Sequence, residues 1–388
     1  MTAPLYLDAA ATSAVRREVL EAMWPYLTGD FGNPSSHHGY GESAARALAD
    51  ARATVAAWLG CRASEVVFTS GGTEADNLAL KGIALGAVAA DPDRGRHIVT
   101  TPIEHEAVLA SVDYLVRRHG FEATMVPVGR DGLVDPADFS AALRPGTTLA
   151  SVMLANNEVG TVQPVAELAR IAHDNGTPLH TDAVQAAGWL PLDVRALGVD
   201  ALSVSGHKLG APKGIGALFV RSRLPLEPVL HGGGQERGRR SGTENVAGAV
   251  ALATAARLSM AGQERAAAAA AAARDAFIAA VLTEAPDAQL TGHPAARLPG
   301  TASFVFPGTN GEAVLLELER RGIVSSSGSA CAAGSEEASH VLLALGYDEE
   351  LARTAVRFSW GSEVTAGQLA AVAPAVGEAV RTVRGLAG

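Results

Sequence analysis

Short apolar runs alternate with stretches of helical periodicity through the first two thirds of the chain, and this alternation constrains the fold more than any other feature. Successive parallel strands need a crossover, which is usually a helix, so the order predicts an α/β domain on a mostly parallel sheet. The predicted strands are Val66–Thr69, Ile98–Thr100, Thr124–Val128, Ala150–Leu154, Leu179–Asp182 and Ala201–Ser205.

The pattern changes after this region to a long alanine-rich segment, Ala247–Ala280, which includes eight successive alanines. Alanine is the strongest helix former, so the segment predicts one long helix leading into a smaller domain. Beyond it we predict a strand at Ala302–Phe306 and helices at Gly311–Arg321 and Gln368–Val383. The predicted domains are a large α/β domain over 15–255 and a small α+β domain over 256–388, joined by the N-terminal segment 1–14.

Composition and charge exclude several classes of protein. The 388 residues are 48% hydrophobic and carry a formal charge of −10, which disfavours broad nucleic-acid binding despite the basic run at 237–240. No basic and apolar leader and no uninterrupted 18-residue apolar run is found, so we expect a cytoplasmic protein without a membrane span. Two cysteines, Cys61 and Cys331, are too few for a disulfide framework or a zinc cluster, and no metal is expected.

Two charged residues each follow a predicted strand closely enough to share a site. Lys208 stands three residues after Ser205 in a glycine-rich stretch, and Asp182 closes the preceding strand. A lysine can form a Schiff base with an aldehyde, and an aspartate can pair with a pyridine nitrogen. Taken singly, such residues are usually solvated or cap helices. Their combination predicts a pocket for pyridoxal 5'-phosphate (PLP).

A glycine turn supports this prediction. The sequence TSGGTEADN (69–77) follows an apolar run and leads into a helical segment. Backbone N–H groups at a helix N-terminus favour a phosphate group, so Gly72 and Thr73 are candidate phosphate ligands. The turn alone is weak evidence, because such turns are common without ligands.

Several motifs, in this order along the chain, resemble those of the cysteine desulfurases of the NifS/IscS group. The resemblance implies a PLP-dependent transferase of fold type I, with a seven-stranded sheet in the large domain, that converts L-cysteine to L-alanine. The motifs are LDAAAT (7–12), FGNPSSHHGYG (31–41), GGTEADN (71–77), TPIEHEAV (101–108), NNEVGTVQP (156–164), HTDAVQ (180–185), SGHKLGAPKGIGAL (205–218), GGGQERGRRSGTEN (232–245), SSSGSACAAG (325–334) and VRFSWG (356–361).

The resemblance assigns the residues around the cofactor ring. Lys208 holds PLP covalently and moves a proton, whereas its neighbour Lys213 matches a solvated turn position. Asp182 keeps the ring nitrogen protonated, and Gln185 binds the ring oxygen. His105 stacks on the ring as an acid/base group, although a histidine there without the family context would more often be structural.

The resemblance assigns the phosphate to Thr73, Ser205 and His207, with the backbone of Gly72. It adds Thr243 of a partner subunit, which implies a homodimer with two composite pockets. Without the resemblance, the segment around Thr243 would be interpreted as a flexible solvated loop.

The resemblance also assigns substrate and sulfur. Arg357 binds the substrate carboxylate, and Asn33 and Asn157 assist; Asn157 is also counted among the cofactor ligands. The thiolate of Cys331 attacks the substrate sulfur and carries it as a persulfide to an acceptor protein, while Cys61 has no function. The small, polar surroundings of Cys331 favour a mobile loop over core packing.

Three departures from the family leave the acceptor open. Ala332-Ala333 replaces a common serine or threonine, Ser362 stands where many relatives have arginine, and little chain follows the last helix. An iron–sulfur scaffold, tRNA thiolation, DNA phosphorothioation and a biosynthetic pathway are all possible destinations of the sulfur. An aminotransferase, a selenocysteine lyase or a non-catalytic PLP-fold scaffold would share Lys208 and Asp182, but Cys331 disfavours transamination.

Overall fold

The computed structural model describes residues 4–328 and 338–386, and its elements follow the predicted α/β order. The strands are β1 (Leu5–Tyr6), β2 (Val66–Thr69), β3 (His97–Thr100), β4 (Glu122–Met125), β5 (Thr147–Ser151), β6 (Leu179–Asp182), β7 (Ala201–Ser205), β8 (Gly216–Val220), β9 (Gln289–Leu290), β10 (Thr301–Val305), β11 (Ile323–Val324) and β12 (Ala355–Ser359). The α-helices are α1 (Arg17–Met23), α2 (Pro25–Thr28), α3 (Gly39–Leu59), α4 (Gly72–Asn77), α5 (Ile83–Ala90), α6 (Glu106–His119), α7 (Pro136–Ala142), α8 (Val165–Asp174), α9 (Val194–Leu197), α10 (Val246–Met260), α11 (Gln263–Glu284), α12 (Gly311–Arg320), α13 (His340–Ala344), α14 (Glu349–Ala352) and α15 (Ala366–Leu386).

The central sheet has seven strands in the order β2-β8-β7-β6-β5-β3-β4. β8 runs antiparallel to both of its neighbours, and the other pairs are parallel. This confirms the predicted fold class. Because β3, β5, β6 and β7 are parallel, their carboxyl ends lie along one edge, where α/β proteins bind ligands.

Both faces of this sheet are buried, which explains why its strands are nearly continuous apolar runs. Alternate residues enter opposite clusters: Val66 and Phe68 pack on the side of α3, α8 and α10, whereas Val67 packs on the side of α4, α5 and α6. Every residue of β5, β6 and β7 is buried. Polar side chains on these three strands are therefore held in fixed positions inside the protein.

The C-terminal part forms a separate core on an antiparallel sheet with the strand order β12-β10-β9. The ring of Phe277 meets those of Phe358 and Trp360 edge to face, with centroids 5.3 and 5.9 Å apart. Leu7 belongs to the same core, so the N-terminal segment packs on this part of the chain. The boundaries given above for the two domains stay a prediction.

The alanine-rich segment differs from the expectation of one long helix. It forms two helices, α10 and α11, which are separated at Gly262, whose φ of +85° lies in the left-handed region. Residues 263–284 are long and apolar enough to span a membrane by length and composition alone. In the structure Phe277 and Val281 of this helix pack in the C-terminal core.

Candidate active site

A cavity of about 750 Å³ opens at the carboxyl ends of β6 and β7. It brings together most of the residues that the sequence predicted for cofactor and substrate. These are Gly72, Thr73, His105, Asn157, Asp182, Gln185, Ser205, His207, Lys208 and Arg357.

Three predicted site residues are not placed on this cavity. Asn33 and Thr243 are exposed and do not line it, and the Asn33 side chain accepts a hydrogen bond from the backbone of Ser35 at 2.9 Å. Cys331 lies outside the described residues. The roles given to these three residues stay predictions.

Lys208 ends the short 3₁₀ turn that follows β7, and this turn directs its side chain into the cavity. Its Nζ donates hydrogen bonds to the carbonyl oxygens of Ala10 and Ala11, the latter at 2.8 Å. Lys213, in contrast, is exposed and does not line the cavity. The structure therefore favours Lys208 for a covalent bond to a bound aldehyde.

Asp182 ends β6 with its carboxyl group facing the cavity and only 6% of the residue exposed. Burial raises its pKa, while a hydrogen bond from the Val184 backbone at 2.8 Å and the charge of Lys208 counteract this shift. A buried carboxylate of this kind is stabilised by a cationic partner, and a protonated pyridine nitrogen would supply one.

The glycine turn also fits a phosphate group. Gly72 begins a helical stretch, and a Cβ at this position would lie 2.8 Å from the Val184 side chain. The buried hydroxyl of Ser205 has no hydrogen-bond partner among the described residues. His207 accepts or donates to the Thr12 hydroxyl at 3.2 Å, and burial together with the nearby Lys208 and Lys213 charges lowers its pKa to about 4. These groups offer neutral donors to an anion.

His105 is held by the start of α6. Its Nδ1 accepts a hydrogen bond from the backbone N–H of Ala107 at 3.1 Å and caps this helix. With Nδ1 accepting, the neutral ring carries its proton on Nε2. The ring can therefore exchange a proton with the cavity through Nε2.

Arg357 is 1% exposed on β12, and its guanidinium group reaches the cavity. It donates to the carbonyl oxygens of Asn157 at 2.9 Å and Gly328 at 3.1 Å, and it pairs with Asp8 at 2.7 Å. Its Nε is buried and has no hydrogen-bond partner within the part of the chain that the structure describes. A substrate carboxylate could use this nitrogen or displace Asp8.

Sequence reasoning missed several acidic residues of the site. Asp8, Asp76 and Glu158 were assigned no role, yet Asp76 and Glu158 line the cavity and Asp8 pairs with Arg357. Glu158 is 5% exposed and accepts a hydrogen bond from Ser339, and burial raises its pKa. Asp76 could have been found, because it stands one helical turn after Thr73 on the same face of α4.

Cys61 has the properties of an unreactive thiol. It follows the left-handed Gly60 at the end of α3, and burial, with the nearby charge of Glu65, raises its pKa to about 12. At neutral pH almost none of the Cys61 side chain is in the thiolate form. This supports the expectation that Cys61 has no function.

Taken together, these features define a PLP-binding enzyme site of fold type I. The chain belongs to the aminotransferase class-V family, whose model matches residues 5–372. Within this family it belongs with the cysteine desulfurases of the NifS/IscS group, as the sequence motifs indicated, and members of the family are PLP-dependent. The predicted cofactor and enzyme class are confirmed.

The individual relatives agree with this assignment. The chain is 45% identical to "Cysteine desulfurase IscS" of Methanosarcina thermophila over 382 residues, which is 98% of this chain and 93% of the relative. A solved "NifS-like protein" superposes with a TM-score of 0.90 at 36% identity, covering 98% of this chain and 100% of that one. A structure titled "SspA in complex with cysteine" has a TM-score of 0.79 at 36% identity and covers 91% and 98% of the two chains.

The buried carboxyl group of Glu104 should make the free energy of unfolding depend on pH. Burial is the main cause that raises its pKa from 4.5 to about 8, with hydrogen bonds from Met153 and Thr101 opposing and the Asp182 charge adding to the shift. The folded state therefore binds this proton more tightly than the unfolded state, so stability falls as pH rises from 4.5 to about 8.

Replacing Glu104 by glutamine should make the decrease of the free energy of unfolding with pH less steep, by at most about 1.4 kcal/mol for each pH unit. Urea unfolding at several pH values measures the slope for the wild type and the variant. Glu312→Gln, at an exposed position, serves as the control and should keep the wild-type slope. Parallel slopes for Glu104→Gln and the wild type would contradict the assignment of the buried proton.

Proposed function

We propose that this cysteine desulfurase converts L-cysteine to L-alanine and receives the sulfur on Cys331 as a persulfide. One observation carries the assignment of Cys331: Gly328, three residues before it, lines the cavity beside Arg357. Three residues of extended chain span at most about 11 Å, so the chain length allows a thiol at position 331 to reach a substrate in the cavity.

The described residues suit the cofactor and its chemistry. When bound, PLP supplies an aldehyde for condensation with amines and an electron-withdrawing ring. Lys208 would hold it and exchange a proton with the substrate Cα, while Asp182 would pair with the ring nitrogen. Gly72, Thr73, Ser205 and His207 would bind the phosphate, and Gln185 the ring oxygen. These assignments rest on the shared cavity and on the buried, unpartnered Ser205 hydroxyl.

Substrate orientation would depend on Arg357. Its planar guanidinium group can bind a carboxylate in two hydrogen bonds, and its contacts to Asn157 and Gly328 hold it in place. A relative of similar structure was solved in complex with cysteine, which supports L-cysteine as the substrate here. L-cysteine would thus be held with its carboxylate on Arg357 and its sulfur toward the mouth of the cavity.

The proposed sulfur transfer needs one nucleophile, which is the Cys331 thiolate. The Cys331 thiolate forms a bond to the substrate sulfur while the substrate Cβ–S bond breaks, and that electron pair stays on the substrate. A proton then reaches the substrate Cβ, which becomes the methyl group of alanine. The thiol proton leaves to solvent before the attack, because the thiolate is the nucleophile.

Product analysis tests this function directly. With L-cysteine and a thiol reductant, the purified protein should form alanine and sulfide in equal amounts. Pyruvate instead of alanine would contradict desulfuration and indicate an elimination. A selenocysteine lyase would be distinguished by a different result. In that case the Cys331→Ser variant would still release selenide from L-selenocysteine at the wild-type rate.

The sulfur acceptor and the compartment extend this proposal. We infer an acceptor protein, either an iron–sulfur scaffold or a thiolation enzyme, because a persulfide is a carrier that must be emptied for turnover. A thiolate nucleophile also suits a reducing compartment such as the cytoplasm. Among the described residues no group of three or more metal-binding side chains is found.

The proposed homodimer rests on the segment around Thr243. This segment is tied to the large domain by Glu236, which is 4% exposed and pairs with Arg52 through two contacts of 2.6 Å. Arg240 pairs with Glu74 of α4 at 2.7 Å. Thr243 itself is exposed and away from the cavity of its own chain, as a residue that serves a partner would be.

Subunit mixing should reveal such a composite pocket. A Lys208→Ala protein and a Thr243→Ala protein should each have low activity, and their mixed dimer should recover part of it. In the mixed dimer one pocket carries both defects and the other carries neither. Absence of recovery, with heterodimers demonstrated by differential tagging, would contradict the role of Thr243.

A further inference from the structure

Three buried carboxyl groups lie close together at the cavity, and two of them belong to its lining. Asp76, Glu104 and Asp182 are 1%, 0% and 6% exposed, and their charges act on one another. One oxygen of Asp76 and one of Glu104 have no hydrogen-bond partner among the described residues. Three negative charges in so small a buried volume would repel strongly, so some of these groups must keep their protons.

The surroundings distinguish Asp182 from Asp76. The hydrogen bond from the Val184 backbone and the charge of Lys208 favour the ionised form of Asp182. Burial and the charges of Asp182 and Glu104 raise the pKa of Asp76 well above 3.8, opposed by the Ser203 hydroxyl. Among the described residues, the side chain within 4.0 Å that could pair with the Asp76 carboxyl is His180, whose ring is neutral, so the surroundings of Asp76 favour its protonated form.

His180 stays neutral because it is fully buried. Burial lowers its pKa to about 3. Its ring lies between the hydroxyls of Ser151 on β5, at 2.9 Å, and Ser203 on β7, at 3.0 Å, and its Nε2 is 3.7 Å from Asp76. His180 and Asp182 are two residues apart on β6, so both point to the same face of the sheet.

Among the described residues, the other elements that pack against α4 bring no cation to Asp76, and the residue that α6 places in the cavity is Glu106, a further acidic group. The strands β2 and β8 contain no charged residue: β2 has three apolar residues and one threonine, and β8 has apolar residues and one glycine. Lys81, in the π-helical turn Leu78–Gly82, binds the Asn77 side chain at 2.6 Å and lies over the ring of Tyr114. Asp76 thus faces Asp182, Glu104 and a neutral His180.

We propose that Asp76 is a positioning residue for Asp182: its carboxyl group keeps a proton inside the buried network, so that Asp182 presents the negative charge to the ring nitrogen. A second carboxylate at this point would compete with Asp182 for protons and weaken its pairing with the cofactor. The proposal rests on the cofactor assignment and not on the desulfurase reaction, so its test needs no L-cysteine.

Infrared spectroscopy of the cofactor-loaded protein at pH 7 tests the protonation directly. The difference between the wild type and Asp76→Asn should show the loss of a protonated carboxyl C=O band. The control Asp113→Asn, at an exposed position on α6, should show the loss of carboxylate bands. Loss of carboxylate bands alone in Asp76→Asn would overturn the proposal.

A second measurement tests positioning. Asparagine imitates a neutral carboxylic acid, so Asp76→Asn should keep the pH midpoint of the visible cofactor absorbance within about 0.3 unit of the wild type. Asp76→Ala should weaken cofactor binding about tenfold, whereas Asp76→Asn should not. A midpoint shift of about one unit or more in Asp76→Asn would show that an ionised carboxylate had been removed, which also overturns the proposal.

Discussion

Cys331→Ser should bind PLP and L-cysteine but form alanine at less than about one thousandth of the wild-type rate. A serine hydroxyl has nearly the size of a thiol, yet it is far less nucleophilic at neutral pH, where a thiol is already partly ionised. Added L-cysteine should therefore still change the cofactor spectrum, whereas alanine, sulfide and the protein-bound persulfide fall to background.

Cys61→Ser is the matched control, because the chain contains two cysteines. Its thiol has a pKa of about 12 and lies outside the cavity, so this variant should keep the wild-type rate. If Cys331→Ser formed alanine as fast as the wild type, the reaction would not use Cys331 as its nucleophile. An elimination that needs no enzyme thiol would then have to replace the proposed step.

Lys208→Ala should lose turnover by at least about a thousandfold, because it removes both the covalent attachment of PLP and a proton carrier. The wild-type protein should be yellow, and borohydride reduction followed by peptide mapping should place the phosphopyridoxyl group on Lys208. The variant should lose this label.

Lys213→Ala provides the comparison within the same motif. Lys213 is five residues from Lys208 but exposed, so its loss should leave the label and the activity in place. Finding the phosphopyridoxyl group on Lys213 in the wild type would contradict the arrangement of the site around β7.

The sheet could be predicted well from the sequence, because burial of both faces makes its strands apolar. The main shift is at β5, predicted at Ala150–Leu154 and observed at Thr147–Ser151. The strand begins with two buried threonines, and Thr147 is satisfied by a hydrogen bond to His97 at 2.9 Å. The predicted residues 152 and 154 still donate backbone hydrogen bonds to β6.

The alanine-rich segment shows where propensity fails. Its composition favours helix throughout, but a single left-handed glycine, Gly262, divides it, and the sequence gives little sign of which glycine will do so.

The candidate site was predictable where a residue type has a specific task at a strand end or a turn. Lys208 and Asp182 follow or end strands, Gly72 forms a turn, and all three residues line the cavity. Asp8 carries no such signal, and the spacing of Asp76 from Thr73 indicates only a shared face of α4, because the roles of both residues arise from neighbours that are distant in sequence. Asp8 meets Arg357 across 349 residues, and Asp76 faces β6 only after α4 packs on the sheet.

The central claim is that sulfur leaves L-cysteine for Cys331. The most direct measurement is mass spectrometry of the protein after one exposure to L-cysteine without reductant, followed by alkylation and peptide mapping. We expect one additional sulfur atom on the peptide that contains Cys331, in an amount that matches the alanine formed. Alanine formation with no added sulfur on that peptide, or with the sulfur on Cys61, would contradict the account.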